Sequence, residues 1–286
     1  MSEVQDIDAV PGYRSSRTLR LGVELRRQLR RRRTKLLLGM VVVLPVVLVI
    51  AFGMGEEPDP DRRGGTFADL AVVSAPNFVV FGFFVAGSFL LPLVVAVLFG
   101  ETVAGEASWS SLKYLLSIPV PRLRLLRQKA LAAGALSALA LVLFPATALL
   151  VGVIWYGVGD ATSPTGDAVP FGTSVVAMAI TTAYVVVQLS WIAGFTLFLS
   201  VSLDAPLGAV GGGVLAVVLS QILDSITALG GVRDYLPTHH AFDWIDVFST
   251  TVDWTDMANG ALLSLGYTAL FGALAAWRFA RKDITS

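Results

Sequence analysis

Few residues of this chain carry groups suited to catalysis or metal binding, and they are scattered. His239 and His240 are its two histidines, and they share a polar stretch with Asp243 and Asp246. Neighbouring histidines point in different directions on a helix, and no third ligand follows at metal spacing. A solvated loop is therefore expected there, and no metal site. Glu56 and Glu57 fall in a stretch rich in Pro and Gly, outside any apolar run that could hold intramembrane catalytic acids. No G-x-x-x-x-G-K-[ST] loop, H-E-x-x-H helix or G-x-S-x-G serine elbow occurs. Cysteine is absent, which excludes disulfides, thiolate metal sites, thiol nucleophiles and palmitoylation. Catalysis by this chain alone is not expected, and no cofactor is expected on it.

Three polar side chains interrupt otherwise apolar runs. Asp224 is the one acid inside such a run, with Gln221 one turn earlier, and Gln188 interrupts another. Ionisable groups at membrane depth are costly and face a helix bundle or water. Gln188, Gln221 and Asp224 are thus candidates for lining a pathway. Asp224 lies close enough to the end of its run that reaching the headgroups is an equal alternative.

The segment richest in information is GETVAGEASWSSLKYLLSIPVPRLRLLRQKAL, from Gly100 to Leu131. Leu112, Leu115 and Leu116 fall at i, i+3 and i+4 and make one apolar stripe, with Glu101, Glu106, Ser110 and Lys113 at polar positions around it. Pro119 and Pro121 stop the helix, since each removes a backbone donor and restricts the residue before it. Arg122, Arg124, Arg127 and Lys129 then form a basic connector. A short amphipathic helix, a proline turn and a basic connector suit a docking element.

These groups must be positioned by membrane-spanning helices. The chain has 286 residues, mean hydropathy +0.73 and 15% charged residues, well below the roughly 25% of a soluble domain. Crossing a bilayer core of about 30 Å takes roughly 20 apolar residues in a helix. Six runs meet that need, at about 36–54, 78–100, 130–156, 173–201, 206–229 and 259–277. The first is expected to be a retained anchor rather than a cleaved signal, because its basic flank is long and no small-residue cleavage site follows Met54. The fold class is therefore an all-α integral membrane protein, with a basic N-terminal segment (1–35) and one six-helix transmembrane domain (36–286).

Charge orients it. Ten basic residues precede the first run, from Arg14 to Lys35. Five more lie between the second and third (Lys113, Arg122, Arg124, Arg127, Lys129), and Arg278, Arg281 and Lys282 end the chain. Only Arg62, Arg63 and Arg233 fall in the alternate, acidic loops. The positive-inside rule then places both termini in the cytoplasm. In TLRLGVELRRQLRRRRTK, Leu21, Leu25 and Leu29 recur at i, i+4 and i+8 among arginines. This predicts an amphipathic helix that serves either as an orientation signal or as a headgroup-layer helix held by anionic lipid and touching a cytoplasmic partner. Beyond the fifth run, Trp244, Ile245, Val247 and Phe248 are expected to form a short helix in the outer headgroup layer. Small residues at four-residue spacing, Gly208 with Gly212, and Ala130 with Gly134 and Ala138, predict close helix packing. Pro45, Pro92 and Pro145 predict kinks.

The Gly100–Leu131 segment resembles the cytoplasmic signature of type-2 ATP-binding-cassette (ABC) transporter permeases. In that family an acid precedes G-T-L-x-x-L-L-x-x-P-V-x-R-x-x-x-x-x-K between the second and third spans. Glu106 matches the acid, Leu112 the first Leu, and Leu115 and Leu116 the pair. Pro119, Val120 and Arg122 match P-V-x-R, and Lys129 falls near the Lys. Ser110-Ser111-Leu112 departs from G-T-L. The six-span topology with both ends inside, the basic leading helix and the long outer segment also fit.

The resemblance implies a permease subunit of an exporter in a bacterial plasma membrane, paired with a second copy or a similar permease. ATP and Mg would be held by a separate ABC ATPase subunit. Glu101, Glu106, Leu112, Lys113, Leu115, Leu116, Pro119 and Arg122 would form the ATPase-coupling region. Anionic lipids are expected partners, and nucleic acid is not. The alternatives from other classes are a self-contained channel or ion-coupled carrier, and a scaffold subunit of a membrane complex.

Overall fold

A computed structural model describes residues 20–54, 67–108, 121–162, 168–249 and 252–282. It is a helical bundle. A short helix α1 (Leu21–Leu29) leads into α2 (Arg32–Gly53), the first long apolar helix. A one-turn helix α3 (Phe67–Ala71) precedes α4 (Ala75–Ser88) and α5 (Leu90–Ser108), an apolar pair bent by 48° at its junction. Next come α6 (Arg122–Tyr156) and a minimal antiparallel hairpin of β1 (Ala161–Thr162) and β2 (Ala168–Val169). The pair α7 (Phe171–Gln188) and α8 (Ser190–Ser202) is one nearly continuous crossing. Then follow α9 (Pro206–Ser225), two 3-10 stretches (Thr227–Tyr235 and Asp243–Phe248) and α10 (Trp254–Arg281). Among the described residues five helices are long and apolar enough to cross a membrane, or six if the bent pair α4–α5 is one span.

The elements differ from the sequence reading at several ends. The basic leading helix does not run unbroken into the first span: it stops at Leu29, and α2 starts at Arg32. The stretch Arg122–Lys129 is not a connector but the first two turns of α6, with Pro121 as the residue that caps its start. Glu101 and Glu106 sit on the last turns of α5 rather than on a separate short helix.

Every apolar run is hydrophobic all round, so the faces sort only in the tertiary structure. In α2 the buried residues Thr34, Leu37, Val41, Pro45 and Val49 form one stripe at helical spacing, while Leu36, Met40, Val43, Val47 and Ile50 face outward. The fourth crossing (α7–α8) is central: half of its apolar window is buried, against 17% for α10. It packs against α5, α9 and α10. Between apolar helices in lipid the driving force is close contact rather than expulsion of water, and glycines permit it here. A Cβ on Gly194 would stand 3.0 Å from the Thr268 backbone of α10, and one on Gly212 would stand 2.7 Å from Leu199 of α8. Gly208, by contrast, is exposed and meets only Leu203 of the short link before α9, so of the Gly208–Gly212 pair it is Gly212 that packs inside the bundle. Gly213, unremarked in the sequence, is tighter still, with no room for a Cβ beside Thr196. Ala130, Gly134 and Ala138 are half-buried; Gly134 makes ordinary contact with the Phe99 ring of α5.

The proline and the bend of the second crossing are one feature. Pro92 lacks the N–H that would bond the Ser88 carbonyl one turn back. The chain breaks at Phe89, and Gln221 Nε2 of α9 donates to Ser88 O at 3.0 Å in place of the missing backbone donor.

Candidate functional site

Two polar assemblies lie at opposite ends of the bundle. The first gathers around Glu106 in the last turns of α5. Its carboxylate accepts from Arg27 Nη2 and Arg31 Nη2, both at 2.8 Å, and from Lys129 Nζ at 3.1 Å. Lys129 also lies 3.5 Å from Glu24 Oε1, and Glu24 accepts from Arg27 Nη2 at 3.1 Å and Gln28 Nε2 at 3.0 Å. One network thus joins α1, the stretch before α2, the end of α5 and the start of α6. Lys129 is 1% exposed, Glu24 2% and Glu106 6%.

Helical spacing explains the arrangement. Glu24 and Gln28 are one turn apart on α1, so both point the same way, and here that way is inward onto α6. Leu21 and Val23 are left exposed. The leucine stripe divides: Leu21 is exposed, while Leu25 and Leu29 are half-buried and pack against the bundle core beside Glu24 and Gln28. Burial pushes the Glu24 carboxyl up, but Lys129, Gln28 and Arg27 together hold it below the usual glutamate range. Buried ions are tolerated only when paired and hydrogen-bonded, and each of these carboxylates has several donors. Arg33, 2.6 Å from Glu101, adds an outer ion pair that is open to water on the arginine side.

Arg122 closes the same end of the bundle. Its Nη1 donates to Ala280 O at 3.2 Å and Lys282 O at 2.9 Å, which places a cation on the free carbonyls at the end of α10. Lys282 Nζ in turn donates to Val201 O and to Asp204 Oδ1. Residues 24–33, 101–106, 122–129, 201–204 and 280–282 therefore share one end. Glu106 and Arg122 flank the segment 109–120. Leu112, Lys113, Leu115, Leu116 and Pro119, assigned to the coupling region from sequence, lie outside the described residues.

The opposite end is built around the stretch Thr227–Phe248. The sequence reading put Trp244 in a headgroup layer. Instead the indole is 1% exposed and packs among Phe83, Phe242 and Phe248. Val247 and Phe248 are buried with it, and only Ile245 of that group is exposed. The backbone of this inserted stretch is held by span side chains. Tyr184 OH donates to His240 O at 2.5 Å, Gln188 Nε2 to Pro237 O at 2.9 Å and Tyr267 OH to Tyr235 O at 3.0 Å; Ser220 and Thr238 share a 2.6 Å hydroxyl bond. His239 and His240 are not loosely solvated either. Each Nδ1 is 2.6 Å from a carboxylate, Asp224 for His239 and Asp243 for His240.

The three polar span residues thus have defined partners. Gln188 and Gln221 line one small cavity beneath the inserted stretch, with Trp191, Thr238 and Trp244. Asp224 lies apart from them, bonded to His239 and 3.3 Å from Arg233 Nε. Sequence reasoning missed Glu24, Gln28, Arg27 and Arg31 as members of the first assembly. One signal was present: Glu24 is the lone acid between Arg20 and Lys35, and a single acid among arginines beside a span calls for a cationic partner.

A family described as a protein of unknown function (DUF2705) matches residues 65–285. No curated protein matches the chain.

Proposed function

The chain belongs to the DUF2705 family, and we propose that this multi-spanning helical membrane protein is the permease half of an ABC exporter in a bacterial plasma membrane. Both termini then face the cytoplasm, and ATP is hydrolysed on a separate ATPase subunit. The observation that carries the reading is the buried Glu106 network at the root of the 109–120 segment. A segment that receives motion from a partner must pass it to the spans, and Glu106 and Lys129 tie its two flanks together. A push on 109–120 would reach the second crossing through Glu106, the third through Lys129, and the leading helix through Arg27 and Arg31. The resemblance of 106–122 to the type-2 permease signature supplies the identity of the partner.

The rest of the basic end fits the same reading. Arg20, Arg26, Arg30 and Arg32 are exposed beside Val23 and Leu21, a surface suited to anionic headgroups with apolar side chains below them. A second permease copy or a similar permease would complete the pathway between two bundles. No enzymatic step, cofactor or nucleic acid is assigned to this chain.

Co-purification with native neighbours tests the proposal. An ABC ATPase chain should accompany the solubilised protein, and its ATPase rate should fall in Leu116→Asp and Glu106→Lys variants that still insert. Recovery of the protein without any ATPase, or normal transport in both variants, would overturn it.

A further inference from the structure

Both histidines of the chain sit side by side in the inserted 227–248 stretch, their rings 5.0 Å apart and nearly perpendicular. Each makes a short bond to a different carboxylate, and those bonds close two different contacts. His239 ties the stretch to Asp224 at the end of α9, with Asp234 Oδ1 3.5 Å from its other nitrogen and Arg233 sharing Asp224. His240 holds Asp243 within the stretch, while its carbonyl receives the Tyr184 hydroxyl of α7. Gly260 of α10 lies directly beneath, where a Cβ would meet both His240 Cβ and Tyr184 OH at 2.5 Å. Asp256 of α10 faces the same cavity of about 540 Å³ as Asp234, Asp243 and the two histidines.

The charges around His240 decide its preference. Asp224, Asp234, Asp243 and Asp256 set four acidic side chains against Arg233. Protonating the His240 ring turns its 2.6 Å contact with Asp243 from a hydrogen bond into an ion pair and places a cation in the cavity that Asp256 of α10 also lines. We propose that His240 is a proton-operated latch that seats the 227–248 stretch and its Trp244 wedge on this end of the bundle, tight in acid and loosened as pH rises, with the His239–Asp224 contact beside it. The sign agrees with the electrostatics at His240: its bond to Asp243 raises the imidazole above its ordinary range, against the opposing effect of burial. Its contribution is present in full below the ordinary histidine pKa and is lost as pH rises through the raised value. The latch stands on the seating of this stretch and is independent of what powers the bundle.

Amide hydrogen exchange of the full-length protein in lipid nanodiscs tests it, with rates corrected for intrinsic pH dependence. Protection over 227–248 relative to α6 should be about fivefold greater near pH ~5.5 than near pH ~8.5, which is about 1 kcal/mol at 1.4 kcal/mol per factor of ten. The ratio should flatten in His240→Gln. Should that variant misfold, Asp243→Asn decides: a transition moved to lower pH supports the latch, and an unmoved one overturns it. Equal protection at the two pH values in the parent, or the same pH dependence in folded His240→Gln, would also overturn it.

Discussion

Replacing Glu106 by Gln keeps the shape of the side chain and removes its charge. In the parent, three cationic groups within 3.1 Å use one oxygen of this carboxylate. Arg27 and Arg31 are 40% and 34% exposed, so each can turn toward water, and its share must be discounted. Lys129 is 1% exposed and has no such escape. It keeps a neutral amide acceptor at position 106 and the longer ionic contact to Glu24 at 3.5 Å, itself part of the same network. Breaking a buried pair costs about 3–5 kcal/mol. With the arginines discounted and Glu24 still present, the lower end, about 3 kcal/mol, is the reasoned figure. That loss falls on the docking of α1, because Arg27, Arg31 and Glu24 all reach α5 and α6 through this network. At about 1.4 kcal/mol per factor of ten, amide protection over Leu21–Leu29 should drop about a hundredfold in Glu106→Gln, with α6 little changed. Protection in the variant within about threefold of the parent would show that α1 is held by apolar contact instead, and the network would lose its place in the coupling argument.

Two further outcomes follow from the same geometry. Gln221→Leu leaves the Ser88 carbonyl without its cross-helix donor at a site Pro92 has already deprived, so the detergent-solubilised protein should lose about 1–3 kcal/mol of stability against denaturant; an unchanged midpoint would refute that pairing. Docking of α1 should also depend on pH through Glu24, whose carboxyl is held below its ordinary range. Its contribution is therefore present above the ordinary glutamate pKa and lost as pH falls through the depressed value, which exchange over 21–29 in acid would register as falling protection.

Local sequence determined a good deal of this protein. Length and hydropathy marked the long apolar helices, because a bilayer imposes about 20 apolar residues wherever a helix spans it, although α5 runs on to Ser108 and α6 starts back at Arg122. Pro92 announced the bend of the second crossing, since a missing N–H disrupts the ladder whatever surrounds it. What proline could not say is which side chain would satisfy the freed Ser88 carbonyl; Gln221, more than a hundred residues away, became that donor only when α9 packed against α5. Leu21, Leu25 and Leu29 were periodic, but that Glu24 and Gln28 join Leu25 and Leu29 on the docked face was decided by Lys129 and Glu106 standing opposite. Trp244 had the composition of an interfacial aromatic and became a core residue through Phe83. Periodicity and hydropathy are properties of one segment, whereas a buried charge or a wedge is settled by whichever segment arrives to meet it. In helices apolar on every side, only the tertiary structure chooses the face.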